Sequence, residues 1–230
     1  MSVGLAEEAR IRQSYGARSW DAYSWTAPAY QFMMQERERR ILALLAAQGM
    51  LPLSERRILE IGCGTGAWLR DFVKWGATPS NLVGMDLLEE RIEQARRLCP
   101  PGVQVSTGSA TELEFPDASF DIVLQATVFT SILDDAIRAA VAREMLRVLR
   151  PGGMILWYDF HVNNPRNPDV RRVDARELRA LFPGCRIHSE RTTLAPPIAR
   201  AVAPRSWLLA QLLGAIPPLR THTLAAIRPA

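Results

Sequence analysis

Residues 58–69 read ILEIGCGTGAWL, and this segment constrains the fold more than any other part of the chain. Its first four residues are apolar and β-branched enough to predict a strand that is buried on both faces. Gly62, Gly64 and Gly66 follow at alternate positions, and we expect them to turn the chain into a helix. A strand, a glycine turn and a helix in this order form a cradle for the polar end of a cofactor.

The glycine spacing alone fits more than one class of cofactor. Gly62, Gly64 and Ala67 satisfy the G-x-G-x-x-G/A pattern of dinucleotide sites. Asp86 follows at about the 20-residue distance at which such sites place an acid on a ribose. The remaining chain therefore has to distinguish between the classes.

Strand and helix patterns alternate after this turn, which indicates a mainly parallel sheet covered on both faces. The patterns predict strands at 81–85, 103–107, 120–126, 154–159, 185–193 and 221–228, and helices at 67–75, 89–99, 134–149 and 175–181. Pro151, Gly152 and Gly153 are expected to stop the third of these helices. Residues 5–49, before the sheet, are also expected to be helical, with Gly49 as a C-terminal stop.

The composition favours one α/β domain with appendages. A chain of 230 residues, 48% of them hydrophobic, can bury one sizeable core and is short for two independent domains. The formal net charge is +4, but the 28 basic and 24 acidic residues are interspersed. Nucleic-acid binding requires a concentrated basic stripe, so we expect no nucleic-acid partner.

The cysteines and the apolar segments predict a cytoplasmic protein. Cys63, Cys99 and Cys185 show no C-x-x-C spacing, and an odd number cannot all pair within one chain. The first residues, MSVGLAEEARIR, contain acids and no apolar core, unlike a secretory signal. No segment reaches the ~18 consecutive apolar residues that a bilayer requires, so we expect no stable membrane insertion.

Four separated motifs together resemble the class I S-adenosylmethionine-dependent methyltransferases, especially those that methylate small molecules such as quinones, sugars and natural products. The motifs are ILEIGCGTGAWL, NLVGMD (81–86), GSATELEFPDASFDIVLQ (108–125) and MLRVLRPGGMILWYD (145–159). They stand in the order and at the spacing of that family, and dinucleotide enzymes have no counterpart of the last two. The resemblance thus favours a methyltransferase over an NAD-dependent oxidoreductase. A non-catalytic S-adenosylmethionine-binding protein on the same fold is the alternative.

The resemblance implies a Rossmann-like α/β fold with a doubly wound, seven-stranded, mostly parallel sheet whose last strand is antiparallel. It divides the chain into an N-terminal helical lid at 1–50 and a methyltransferase domain at 51–230. Residues 194–219 then form a helical insertion before the last strand.

The resemblance also implies contacts to S-adenosyl-L-methionine. The glycine turn closes on the methionine part, Glu60 reaches the ammonium group and Asp86 accepts from the ribose hydroxyls. Ser109 stands where many relatives carry an aspartate that accepts from the adenine amino group, so it is a weaker acceptor at that position. The full predicted cofactor set is Tyr15, Tyr23, Glu60, Gly62, Cys63, Gly64, Gly66, Asp86, Leu87, Ser109, Ala110, Gln125 and Ala126.

The N-terminal aromatic residues have two interpretations. A core stripe that packs a helix onto the sheet explains most of them. The resemblance instead implies a lid over the cofactor, with Tyr15 and Tyr23 as the contacts. His188 and His222 fall in predicted strands and are interpreted as structural.

His161, two residues beyond the fifth predicted strand, is the candidate general base, since strand ends on open α/β sheets face the ligand. Asp159 is either a competing base or the partner that orients the imidazole. We expect O-methylation of a small metabolite or sugar, with C- or N-methylation as the alternative. In the polar loop at 161–172, the side chains of Asn163, Asn164, Arg166 and Asn167 suit a polyhydroxylated or anionic acceptor, although a surface loop explains them equally well.

The apolar segment at 198–216 also has several interpretations. It is expected to form a wall of the acceptor pocket and a subunit interface, which makes a homodimer possible. Membrane attachment requires a cationic face, and the segment itself contains only Arg200 and Arg205. No cluster of acids has the spacing of a metal site.

Overall fold

The computed structural model describes residues 3–16, 24–164 and 167–230. The helices are Val3–Gly16 (α1), Pro28–Ala47 (α2), Ala67–Lys74 (α3), Glu89–Leu98 (α4), Asp135–Val148 (α5), Ala175–Leu181 (α6), Pro196–Val202 (α7) and Trp207–Gly214 (α8). The strands are Ile58–Ile61 (β1), Leu82–Asp86 (β2), Gln104–Thr107 (β3), Phe120–Ala126 (β4), Leu149–Phe160 (β5), Cys185–Leu194 (β6) and Arg220–Pro229 (β7).

The strands form one sheet in the order β3-β2-β1-β4-β5-β7-β6. The five strands from β3 to β5 in this order are parallel to one another. Strand β7 is antiparallel to both of its neighbours, β5 and β6. This arrangement confirms the predicted mostly parallel sheet with an antiparallel last strand. The strand order reverses at β1, where β2 lies on one side and β4 on the other, and open α/β sheets bind ligands at such a point.

Both faces of the sheet are covered, because alternate residues of each strand point to opposite sides. One core contains Leu59 and Ile61 of β1 with Val141 and Met145 of α5. The other contains Ile58 of β1 with residues of α2 and α3 such as Leu45, Leu69 and Phe72. The apolar run of β1 is buried throughout, as predicted for a central strand.

The end of α5 differs from the expectation. The helix ends at Val148, and Leu149 already has extended geometry and pairs with Phe120 of β4. Pro151, Gly152 and Gly153 therefore do not stop the helix but belong to an irregular start of β5, where the register shifts. Gly153 is required there, because a Cβ atom would lie 2.8 Å from the Asp121 carbonyl oxygen.

The two helices between β6 and β7 pack against α2 in a small third core. Phe32 of α2 meets Trp207 of α8 edge to face, with ring centroids 5.4 Å apart. Ala199 of α7 and Ala210 of α8 are fully buried beside Phe32. In the described part of the chain no helix is long and apolar enough to span a bilayer.

Candidate active site

A cavity of about 450 Å³ lies at the carboxyl edge of the parallel strands. Glu60 of β1, Asp86 of β2 and Ala126 of β4 contribute to its wall, and these strands are neighbours in the sheet. Of the predicted cofactor residues, the lining includes Glu60, Gly62, Cys63, Gly64, Asp86, Leu87, Ser109, Ala110 and Ala126. The fold thus brings together polar residues from three separate sequence motifs.

The glycine turn has the backbone conformation that side chains avoid. Gly62, Gly64 and Gly66 have φ values of +68°, +53° and +75°. A Cβ atom at Gly62 would lie 2.5 Å from Val128 Cγ2, whereas one at Gly64 would meet only the mobile end of Arg91 at 3.0 Å. Gly62 and Gly64 line the cavity, but Gly66 faces the Cys99 thiol and does not.

Glu60 is a buried acid without a complete set of partners. Its side chain is 2% exposed, and Oε2 has no hydrogen-bond partner. Burial, together with the negative charge of Asp86, raises the pKa of Glu60 well above its usual range. A buried carboxylate oxygen without a donor costs free energy, and a cationic ligand donor in the cavity would offset that cost.

Asp86 fixes the turn that follows β2. Its Oδ2 accepts from the Gly64 amide at 2.8 Å, and its Oδ1 accepts from the Leu88 amide at 3.0 Å. Each carboxylate oxygen has two lone pairs, so both retain capacity to accept a ligand hydroxyl. The residue therefore holds the glycine turn and α4 together while it faces the cavity.

The remaining predicted contacts are less uniform. The Ser109 and Thr111 hydroxyls lie 2.9 Å apart in the cavity wall. Gln125 is fully buried behind the wall, where its Oε1 accepts from the Val128 amide at 3.1 Å and its Nε2 has no partner. The Cys63 thiol is buried, and burial raises its pKa so far that it stays protonated. Cys63 therefore serves as a small residue of the turn rather than as a nucleophile.

Asp159 does not line the cavity. Its buried carboxylate accepts from the Thr130 hydroxyl at 2.6 Å, the Thr130 amide at 3.2 Å and the Phe160 amide at 2.9 Å. Burial raises its pKa to about 6. Asp159 thereby fixes the short turn Phe129–Ser131, whose Thr130 does reach the cavity.

His161 also lies outside the cavity lining. It is half-buried, its amide donates to the Thr221 carbonyl at 3.1 Å, and its Nδ1 is 3.4 Å from the Thr223 hydroxyl. Burial and the positive charge of Arg191 lower its pKa, so the imidazole is neutral at pH 7. His161 and Asp159 therefore do not adjoin each other as a base and its orienting partner; each is bonded to other groups.

His222, interpreted as structural from the sequence, lines the cavity instead. It lies in β7 opposite Phe160, and its ring stacks on Tyr158 with centroids 4.7 Å apart at 17°. Burial, with the charges of His161 and Arg37, lowers its pKa to about 3. The Tyr158 hydroxyl, 2.8 Å from the Thr193 hydroxyl, adds a polar group to the same wall.

Two threonines of the cavity wall have left-handed backbone conformations. Thr127 has φ of +58° and Thr193 has φ of +63°, which is rare for β-branched residues. Both contact Tyr158, since the Thr127 amide donates to its carbonyl at 2.8 Å and the Thr193 hydroxyl meets its phenol. Strained residues of this kind cluster at functional sites.

The N-terminal helices cover the cavity. Glu7 of α1 accepts from the Leu133 amide at 2.6 Å, which attaches α1 to the segment after β4. Tyr30 and Arg37 of α2 lie in the wall, and the Arg37 guanidinium lies 4.2 Å above the Trp68 ring. Tyr23 and the Tyr15 side chain lie outside the described residues, so their predicted contacts stay predictions.

The described asparagines of the polar loop after β5 lie apart from the cavity, although Val170 of the same loop lines it. Asn163 accepts from the Arg172 amide at 2.8 Å, and Asn167 accepts from the Asp169 amide at 3.1 Å. Neither residue is in the cavity lining. These bonds agree with a turn-rich surface loop, and Arg166 lies outside the described residues. The described residues also contain no cluster of metal-ligating side chains.

Part of the chain is similar to known proteins. Residues 58–153 match the family described as methyltransferase domain. The chain is 32% identical over 128 residues to 2-methyl-6-phytyl-1,4-hydroquinone methyltransferase of Synechocystis, which covers 54% of this chain and 38% of the relative. It is 30% identical over 160 residues to demethylmenaquinone methyltransferase of Deinococcus radiodurans, covering 65% and 63% respectively.

The fold has solved counterparts as well. The crystal structure of an S-adenosylmethionine-dependent methyltransferase from Mesorhizobium loti superposes with a TM-score of 0.58 at 22% identity, covering 80% of this chain and 96% of that one. At this identity the likeness shows the fold alone. The chain spans less than two thirds of the length of the two curated relatives named above.

Proposed function

We propose that the protein is a class I methyltransferase that transfers a methyl group from S-adenosyl-L-methionine to a small-molecule acceptor, since residues 58–153 match the methyltransferase domain family and the two named relatives are methyltransferases. The observation that carries the proposal is the unpartnered Oε2 of Glu60 in the cavity wall, one strand away from Asp86. A buried acceptor beside a glycine turn suits a ligand that carries an ammonium group.

The residues of the turn fit this cofactor better than a dinucleotide. Dinucleotide sites bind a pyrophosphate, and a buried carboxylate at Glu60 would repel it. Glu60 instead is the acceptor for the ammonium, and the cavity-lining Arg37 is the donor for the carboxylate. Asp86 retains lone pairs for the ribose hydroxyls, as two of its bonds go to backbone amides.

Further residues complete the proposed cofactor site. Leu87, Ser109 and Ala110 form the wall near Asp86, on the side assigned to adenine. Gln125 supports Val128 from behind, and Ala126 offers its backbone to the ammonium end. Gly66 acts on the packing of α3 against α4 rather than by contact.

The acceptor side of the cavity is mainly apolar. Its wall beside β5, β6 and β7 includes Met33, Met34, Phe160 and Pro196, with Tyr158, Thr193 and His222 as polar groups. An acceptor with a flat apolar body and one polar group matches this wall. The two curated relatives are named for a hydroquinone and a menaquinone, which supports an acceptor of this class.

The chemistry depends mainly on orientation. When bound, S-adenosyl-L-methionine supplies a methyl group on a positively charged sulfur, which an acceptor attacks in line. The chain's own residues hold the acceptor in that line, and positioning alone can contribute about 7–11 kcal/mol in favourable cases. The helices α1 and α2 exclude water from above, so residues 1–50 are proposed as a lid on the domain at 51–230, with 194–219 as an insertion.

Variants of two histidines test which residue removes the proton from a hydroxyl acceptor. If His161 is the base, His161→Ala lowers turnover about 10²-fold while cofactor affinity is unchanged. His222→Phe serves as the comparison, because it keeps the ring stack on Tyr158 and removes the imidazole that lines the cavity. Turnover that falls only in the His222 variant would contradict the prediction for His161.

Labelled-methyl transfer tests the proposed function. The protein is incubated with methyl-labelled S-adenosyl-L-methionine and either a prenylated hydroquinone or a lipid extract of cells, and the labelled product is identified. A labelled methoxy group would support O-methylation, whereas label on a ring carbon would support C-methylation. Cofactor binding without any labelled product would overturn the catalytic proposal in favour of a non-catalytic binding protein.

The three free cysteines agree with the reducing cytoplasm, where we place the reaction.

A further inference from the structure

The helix α8 carries an apolar face that the described chain leaves uncovered. Leu208, Leu209 and Leu212 of α8 and Ile216 just after it form this α8 face, and Leu208 and Leu212 are 66% and 59% exposed. The spacing of these residues places them on one stripe. The opposite side of the helix is anchored in the third core by Ala210 and Gly214, so the stripe is held outward.

Positive charge surrounds the α8 face. Residues 191–230 contain five arginines and neither aspartate nor glutamate. Arg205 precedes α8, and its guanidinium donates to the Ala201 carbonyl at the end of α7. Arg220 donates to the Gly214 carbonyl at 2.7 Å, which places its charge at the other end of α8. Arg220 lies outside the segment 198–216, and the pairing of β7 with β6 holds it there, where its guanidinium also donates to the Arg191 carbonyl at 2.9 Å.

Acidic groups from neighbouring elements do not cancel this charge. Glu190 of β6 is paired with Arg40 of α2 at 2.8 Å. Glu36 lies in the groove between α2 and α8, where Arg39, Arg40 and Arg220 also lie. Arg205 and Arg220 therefore leave positive charge at the two ends of the exposed apolar helix.

We propose that the α8 face docks on an anionic lipid surface, with the leucines in the interface and the arginines on the headgroups. Buried apolar area and electrostatic attraction to anionic headgroups both strengthen binding at a membrane surface without any crossing of the bilayer. A second copy of the chain is a poorer occupant, because a two-fold contact would bring the same arginines of both copies together. The α7 residues Pro196 and Arg200 line the cavity, so docking would hold that wall of the cavity next to the lipid.

Vesicle cosedimentation tests the proposal without using any enzymatic activity. The protein should bind vesicles of phosphatidylglycerol and phosphatidylcholine, and binding should weaken on replacing the anionic lipid or on raising the salt concentration. The double variant Leu208→Ser/Leu212→Ser should bind at least about tenfold more weakly. Arg205→Gln should weaken binding about fivefold. Leu98→Ser is the matched control, since Leu98 is 54% exposed at the end of α4, and it should bind as the wild type.

Three results would overturn the proposal. The first is no binding to vesicles of either composition, and the second is equal binding to both. The third is a dimer in sedimentation velocity that dissociates in the Leu208→Ser/Leu212→Ser variant, which would assign the α8 face to a second copy of the chain.

Discussion

Among single residues, Glu60 lowers the stability of the ligand-free protein at neutral pH, although it is proposed to bind the cofactor. Its pKa is raised well above 4.5 because the carboxylate is buried next to Asp86. Between pH 4.5 and that raised pKa the folded protein binds more protons than the unfolded chain. Stability contributed at this position is therefore present below that window and is lost as the pH rises through it.

Glu60→Gln tests this conflict. The amide removes the buried charge, so the ligand-free variant should melt at a higher temperature than the wild type at pH 7, by about 2–4 °C for each kcal/mol recovered. The difference should vanish below the ordinary carboxyl pKa. Affinity for S-adenosyl-L-methionine should fall about 10- to 100-fold, because a charged acceptor is lost.

Calorimetry and thermal melts at several pH values provide both measurements. Glu93→Gln is the matched control, as Glu93 lies on α4 with 56% side-chain exposure and only a 4.0 Å pair with Arg97. A variant that melts lower than the wild type and binds equally well would show that Glu60 has a purely structural role.

Some residues of the site could be predicted from a local sequence motif, and others could not. Glu60 and Asp86 were predictable, since each lies at or next to the end of a strand within a recognisable motif, and both line the cavity. His222 and Thr193 were not, because they reach the cavity only through the pairing of β7 with β5 and β6. His161 stands at the right distance along the chain, but a strand end does not fix the direction of the next side chain.

At the scale of elements, the glycine turn is the part whose geometry the sequence predicted most directly. Strands β1 and β4 and helix α6 have the predicted bounds, and most other elements differ by one or two residues. The start of β5 was missed because Pro151 and the glycines after it resemble a helix stop, while the register shift against β4 is a tertiary feature.

Gly62→Ala separates backbone strain from steric contact within the turn. Gly49 has nearly the same φ, +67° against +68°, but a Cβ atom there meets nothing within 4 Å. Both alanine variants should lose about 1–2 kcal/mol of stability from the left-handed conformation. Gly62→Ala should lose more stability, and also cofactor affinity, because the new methyl group lies 2.5 Å from Val128 Cγ2.

Chemical denaturation of both variants measures the difference. Adding Val128→Ala to Gly62→Ala should restore part of the lost stability, since it removes Val128 Cγ2, which the new methyl group would overlap. Equal losses in the Gly49 and Gly62 variants would mean that the Val128 contact has no energetic role in the turn.

In the whole molecule, the order of the strands in the sheet brings the residues of the site together. Strands β3, β2, β1 and β4 bring the polar residues that we propose for the cofactor to one stretch of the edge, and β5, β7 and β6 bring the aromatic wall beside it. The alternating pattern predicted the sheet and its parallel part. It could not predict how α7 and α8 pack on α2, because that contact depends on small apolar residues without a sequence signature.

The central claim is that this edge of the sheet binds S-adenosyl-L-methionine, and titration calorimetry tests it most directly. We expect binding of S-adenosyl-L-methionine and S-adenosyl-L-homocysteine, no binding of NAD or NADP, and affinity about 10- to 100-fold weaker in Asp86→Ala. Asp117→Ala, at an acid with 78% side-chain exposure, should bind as the wild type. Binding of NAD in preference to S-adenosyl-L-methionine, or unchanged affinity in a folded Asp86→Ala variant, would show that S-adenosyl-L-methionine does not bind at this edge.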